Sequence, residues 1–256
     1  MMKAAAITQA RVVGALVLRE TRVRYGQSRL GYLWALVEPA VYVGILSTMF
    51  TFVGSRAPFG NSMPLFFALG ILPFFLFRNL ANQLGPAFEA NQALLSFPIV
   101  KELDTVIARA VLEIATSLFV IALILSVIVL TGDAPLPHSL LMMLVAIAGL
   151  SLLGFGIGLI NAVVISRFQS WRNIFQVLNT AMLFSSGAFY SLESVPTNVR
   201  DILTWNPIIQ GVEGVRDGYF MNYRASALDL SYLFWWGLVT TVIGLAAERA
   251  IRIRQS

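Results

Sequence analysis

Long apolar blocks, separated by polar connections, dominate this chain. Six blocks are long enough to cross hydrocarbon as helices: 33–53, 63–84, 106–130, 140–165, 174–192 and 230–247. A crossing helix needs about 20 apolar residues, within a range of about 17–25. The fourth block is generous and the sixth is short. Ahead of them, residues 3–28 are too polar to span. At helical spacing Thr8, Arg11, Arg19 and Arg22 share one face and Val12, Leu16 and Val23 another, with Leu18 and Glu20 breaking the pattern. This predicts a basic amphipathic helix lying in the membrane interface, with an ordinary solvated helix as the alternative. Between the fifth and sixth blocks, Pro196, Asn206-Pro207 and Gly211 divide residues 193–229 into pieces too short to span. The pieces still carry Ile202, Leu203, Trp205, Ile208, Ile209 and Val212. They read as helices dipping back into the outer leaflet, which is tolerated where protein or a water-filled cavity surrounds them. A plain outer loop is the other reading.

The expected fold class is an all-α integral membrane protein, one domain over residues 1–256. Composition agrees: 57% of the 256 residues are hydrophobic and 12% charged, against about 45–50% and about 25% in soluble domains. Too few charges remain for a water-facing surface of this size. The absence of Cys fits a chain without a disulfide framework. No cleavable signal peptide is expected, because Arg11, Arg19, Arg22 and Arg24 interrupt the early apolar residues.

The net charge of +5 sets the orientation. With both termini inside, the inner segments hold twelve Lys and Arg: Lys3, Arg11, Arg19, Arg22, Arg24, Arg29, Lys101, Arg167, Arg172, Arg249, Arg252 and Arg254. The outer ones hold four, Arg56, Arg200, Arg216 and Arg224. That is a positive-inside bias, and both ends are predicted cytoplasmic. The stretch from Arg22 to Pro39 marks where the chain leaves the inner surface. Arg22, Arg24 and Arg29 suit water and lipid phosphate, the residues from Leu33 onward suit hydrocarbon, and Tyr25, Tyr32 and Trp34 sit at the changeover.

Candidate chemistry is sparse. His138, the single His, stands in a short Pro-flanked outer connection and makes a poor catalytic base. The chain has no H-E-x-x-H, no Cys ligand and no G-x-x-x-x-G-K-[ST] phosphate loop. No catalytic, metal or cofactor site is therefore expected in this chain. Any energy the protein uses must come from a partner or an ion gradient. Glu38 and Arg78 lie within apolar blocks, toward their inner ends, and Arg109 and Glu113 stand one helical turn apart where they can pair. Interfacial anchoring or structural pairing is favoured for all four over a proton relay. In the fourth block Gly154 and Gly158 form a small-xxx-small face for close helix packing, with subunit contact as the alternative.

One stretch resembles a known family. Arg24-Tyr25-Gly26-Gln27-Ser28-Arg29-Leu30-Gly31-Tyr32-Leu33-Trp34, followed by Glu38-Pro39, is similar to the N-terminal motif of ABC-2-type exporter permeases. The likeness sharpens to the capsular polysaccharide branch over Leu18-Arg19-Glu20, Glu89-Ala90-Asn91-Gln92, the run from Asp104 to Glu113, and Trp205-Asn206-Pro207. The resemblance covers nearly the whole chain.

The resemblance implies a homodimer working with two copies of a separate cytoplasmic ATPase, which would carry the ATP and Mg. The cargo would be a lipid-linked acidic polysaccharide moved outward across a bacterial inner membrane. Membrane lipids and periplasmic export proteins are further expected partners, and nucleic acid is not. The segment 89–105 would dock on the ATPase, with Glu89, Asn91, Lys101, Glu102 and Asp104 as coupling candidates. Trp205, Asn206 and Pro207 would stand at the channel exit. Arg24 and Arg29, with Tyr25 and Trp34, are candidates for receiving the lipid-linked phosphate, membrane anchoring being the alternative. Permeases for O-antigen, teichoic acid, drugs or lipids share this architecture. A membrane-embedded glycan-modifying enzyme would need clustered His or carboxylates that the chain lacks.

Overall fold

The structure, a computed structural model, describes residues 2–25, 31–60, 62–92, 101–132, 134–223 and 225–255, of which 2–8, 10, 23–25, 31–32 and 252–255 are described through their backbone. Ten α-helices occur among them: α1 (Met2–Tyr25), α2 (Gly31–Phe52), α3 (Met63–Leu84), α4 (Ala87–Ala90), α5 (Glu102–Leu130), α6 (Leu140–Ile165), α7 (Trp171–Ser185), α8 (Thr197–Leu203), α9 (Pro207–Tyr219) and α10 (Leu230–Gln255). A 3-10 turn covers Leu192–Ser194. Five helices, α2, α3, α5, α6 and α10, are long and apolar enough to cross a membrane.

The starts of these helices follow from local chemistry. The Ser62 and Ser139 hydroxyls accept from the backbone N–H of Leu65 and Met142, each at 3.3 Å, relieving orphan donors of α3 and α6. At α5 the Asp104 carboxylate accepts from the Lys101 N–H at 2.9 Å, and Glu102 and Asp104 place negative charge in the positive first turn.

α3 is the centre of the bundle, with Phe66, Phe67, Phe74 and Phe77 all enclosed. α6 packs on one side of it through Gly154 and Gly158. A Cβ at Gly158 would meet the Leu80 carbonyl oxygen and the Leu84 Cβ at 2.9 Å. The small-xxx-small face thus serves packing inside the chain. Gly156, on another face, brings α10 so close that a Cβ would meet Thr240 Oγ1 at 2.3 Å. Such backbone approach supplies the dispersion contact that holds helices together where lipid removes the hydrophobic drive.

These contacts also set directions. Leu80 and Leu84 meet Gly154 and Gly158 in rising order, and Leu233 and Thr240 meet Gly149 and Gly156 likewise, so α3, α6 and α10 are parallel. α2 opposes α3, since Glu38 meets Arg78, Tyr42 meets Phe75 and Phe50 meets Phe67. The N-terminal end of α2 and the C-terminal end of α10 therefore lie at one end of the bundle.

The fifth block departs from expectation. Its helix, α7, has 15 residues and stops at Ser185. The Ser186 hydroxyl turns back to the Leu183 carbonyl at 2.7 Å, and Gly187 takes a left-handed φ of 73° that ends the helix. The chain continues as an irregular strand of backbone in which Ser186, Ala188, Ser191 and Leu192 are buried.

Within 193–229 two short helices, α8 and α9, meet at residues 204–206 as the arms of a V. Asn206 caps α9 by accepting from the Ile208 N–H at 3.0 Å, and Pro207 occupies its first turn. α9 runs antiparallel to α6, with Gly211 against Leu150, Gly214 against Ala146 and Gly218 against Met143. Tyr232 donates to the Trp205 carbonyl at 2.8 Å, and the adjacent Leu233 touches Gly149. The tip of the V is thus level with Gly149, about 13 Å along α6 from its start. Asn206 also donates to the Ser185 carbonyl at 3.1 Å, so α7 ends beside the tip of the V.

Candidate functional site

Among the described residues, three groups of polar side chains bear on function. The first joins α1 to the start of α5. Asn91, 1% exposed, accepts from Arg19 and donates to Glu20 and to the Ala87 carbonyl, both at 3.0 Å. Glu20 in turn takes Arg109 at 3.1 Å, and Arg109 also donates to the Gln83 carbonyl at 3.2 Å. Gln9 donates to Asp104, itself buried. The ion pair observed for Arg109 is thus interhelical, where the sequence spacing suggested one with Glu113 along the same helix. Glu113 is buried nearby.

The coupling candidates therefore divide. Asn91 and Asp104 face inward and fasten α1, whereas Glu89 and Lys101 are exposed, Glu89 meeting Arg172 at the start of α7 at 3.1 Å. Glu102 is partly buried in the first turn of α5. Segment 93–100 lies outside the described residues, as do Arg29 and the side chains of Arg24 and Tyr25. Trp34, in the first turns of α2, is exposed.

The second group runs along one face of the spanning helices. Arg78 of α3 reaches Glu38 of α2 at 2.7 Å, with Arg78 at 17% and Glu38 at 42% side-chain exposure. One turn on, Asn82 accepts from Asn179 of α7 at 2.8 Å. Gln176 and Thr180 flank Asn179 and are exposed, as is Tyr42 one turn from Glu38. This face of α3 is opposite the one that α6 covers. A charge left against hydrocarbon costs at least about 2.5–3.5 kcal/mol, so water or a second copy must cover such a strip. The contrast is the groove of about 460 Å³ between α5 and α6, walled by Ile121, Leu125, Val129, Leu140, Leu144 and Ile147, which suits lipid chains.

The third group lies inside the V. Glu213 and Arg216 of α9 are both fully buried and meet at 3.2 Å. Arg216 also donates to the carbonyls of Tyr190 at 2.8 Å and Ala188 at 3.4 Å, and its guanidinium lies 4.4 Å from the Phe66 ring centre. Tyr223 donates to Glu213 and contacts Ser191 at 2.9 Å. Burial, reinforced by the Glu213 charge, pushes the Tyr223 phenol far above its usual range, so it stays a neutral donor. Arg216, counted from sequence as an outer-loop cation, is a core residue. Of the exit candidates, Asn206 and Pro207 build the α9 start, and Trp205 is 79% exposed at the tip.

Comparison with known proteins fits this arrangement. The family model described as "ABC-2 type transporter" matches residues 11–220. The chain belongs to the ABC-2 type transporter family. Within it, the permease is 36% identical to the polysialic acid transport protein KpsM of Escherichia coli over 237 residues, 93% of this chain and 92% of that one. It is 31% identical to the capsule polysaccharide export inner-membrane protein BexB of Haemophilus influenzae, covering 93% of this chain and 89% of BexB. Identity to the O-antigen export system permease protein RfbA of Klebsiella pneumoniae is 24%, over 92% and 90% of the two chains. The permease is a transmembrane transport subunit and is not itself catalytic. The match over residues 11–220 takes in most of α1 and all of α8 and α9, so apart from Gln9 and Tyr223 the three polar groups fall within family sequence.

Proposed function

We propose that this permease carries a lipid-linked acidic capsule polysaccharide outward across the bacterial inner membrane, as a homodimer driven by two copies of a cytoplasmic ABC ATPase that bind the ATP and Mg. The observation that carries this reading is the polar face of α2, α3 and α7, which needs water or a second copy against it. Two such faces brought together enclose a passage that a hydrated polymer can follow. Capsule relatives at 31% and 36% identity, against 24% for the O-antigen permease, favour capsule as the cargo.

The topology in this reading has six crossings. α7 spans about 22 Å of a hydrocarbon layer about 30 Å thick, and the buried backbone after it completes the passage. The parallel course of α6 and α10 supports this, because the chain must cross back once between them. The Lys and Arg bias then puts both termini in the cytoplasm and makes α8–α9 a re-entrant V in the outer leaflet, at the exit. ATPase contact falls to Glu89, Lys101 and Glu102, while the Asn91 junction makes α1 and the docking segment move together. Arg24 and Arg29 at the inner surface receive the carrier phosphate.

The chain contains no Cys, so single Cys residues report without background. A Cys at Gln176 or Thr180 is expected to react with a membrane-impermeant thiol reagent in the assembled exporter, and a Cys at Val127, on the lipid-facing side of α5, is not. Protection of both α7 positions in the working exporter would reject the passage.

A further inference from the structure

The passage reading leaves one charged pair whose geometry exceeds what anchoring requires. The Arg78 guanidinium carbon lies over the Phe75 ring, 3.8 Å from its centre, and Tyr42 packs edge-on against the same ring at 5.3 Å. The ring contact holds the guanidinium in place beside Glu38 and Asn79. Nη2 meets a single Glu38 oxygen at 2.7 Å, and Nε and Nη2 meet Asn79 Oδ1 at 3.3 and 3.1 Å. Nη1 has no acceptor among the described residues. Glu38 is the more exposed partner, at 42% against 17%.

A purely structural pair would bury both groups or saturate the fork, since guanidinium and carboxylate bond best through two parallel contacts. Here the carboxylate is held by one contact among the described residues, and its exposure leaves it room to move into the strip. The stacked Arg stays where it is.

The geometry points to Arg78 as the residue that reads oxyanions of the passing cargo, with Glu38 occupying its fork between cargo groups. This assignment rests on the passage reading above. An arriving carboxylate or phosphate takes both Nη atoms bidentately, Glu38 is displaced, and its return releases the cargo group. The device allows contact without tight hold, which a sliding polymer needs. Lys could not substitute fully, because an ammonium neither stacks flat nor presents two parallel donors.

The test uses the permease with its ATPase in proteoliposomes, loaded with a lipid-linked glycan bearing a carboxylate on each sugar or with its neutral counterpart. Arg78→Gln and the double variant Arg78→Gln/Glu38→Gln are both expected to lower export of the acidic glycan by at least about tenfold, the worth of a charge-assisted bond, with Arg78→Lys in between. Loss confined to the acidic glycan identifies the sugar carboxylate as the group read. Equal loss with the neutral glycan identifies the carrier phosphate. If the double variant exports acidic glycan at the wild-type rate, the pair is structural and the assignment falls. Arg78→Lys retains the charge and guards against loss of folding, and ATPase co-purification reports assembly of each variant. Cys labelling at Gln176 and Thr180 tests the passage separately, so failure of the passage and failure of Arg78 give different results.

Discussion

Arg216 offers the sharpest test of how the V is held. Arg216→Met removes the partner of Glu213 while leaving the apolar stem, in a site where both groups have no solvent exposure. Breaking a buried pair from one side costs about 3–5 kcal/mol, because a charge is left without compensation. The double variant Glu213→Gln/Arg216→Met removes that charge and still lets Tyr223 donate to the residue at 213. What remains are the Tyr190 and Ala188 carbonyls, bonded to Arg216 at 2.8 and 3.4 Å in the wild type and left unmet in single and double alike, at about 1–3 kcal/mol. The double should therefore be more stable than the single by about 2 kcal/mol. At about 2–4 °C per kcal/mol for a chain of this size, the single is expected to lose about 6–20 °C and the double to recover at least about 4 °C of it. Thermal unfolding of the purified permease in lipid nanodiscs reads both. A double variant that melts at or below the Arg216→Met single would refute the claim that an uncompensated charge dominates.

Two further outcomes follow from the other clusters. Asn91→Ala leaves Glu20 and Arg19 without their shared partner, so the ATPase should still bind and hydrolyse ATP while ATP-driven export falls by about tenfold; wild-type coupling would remove Asn91 from the transmission path. Hydrogen bonds from the Ser226 hydroxyl and N–H lower the Glu193 pKa below the usual carboxylate value. A lowered folded pKa contributes stability above the unfolded value that is lost as pH falls through the folded one, below about pH 4. A fluorophore on a Cys at Ile202 should gain mobility in that range. Glu193→Gln should already be mobile at neutral pH, and identical profiles for the two would contradict the role of this clasp.

What the sequence disclosed and what it hid have physical causes. The five long helices were legible because each carries an unbroken apolar block long enough to cross a membrane. α7 was overestimated because hydropathy averages over Ser185-Ser186-Gly187, the turn that stops the helix. The pair Glu213–Arg216 was missed because two charges on a short segment after Asn-Pro look solvated. A signal was present nonetheless: Gly211, Gly214 and Gly218 give that helix a bare face for close packing, which implies that the rest of it is enclosed. Glu38 and Arg78 were noticed singly, but partners 40 residues apart are set by the antiparallel packing of α2 on α3. Glu20 was not foreseen as a partner of Arg109 for the same reason, since α1 docks across the start of α5.

Vectorial transport tests the central claim most directly. Permease and ATPase reconstituted with the ATPase outside are expected to move a lipid-linked acidic capsule glycan into the vesicle interior, away from the ATPase, when ATP and Mg are added. The glycan should stay at the outer face without them. ATP hydrolysis by an assembled complex that never transfers the glycan to the far side would contradict the account.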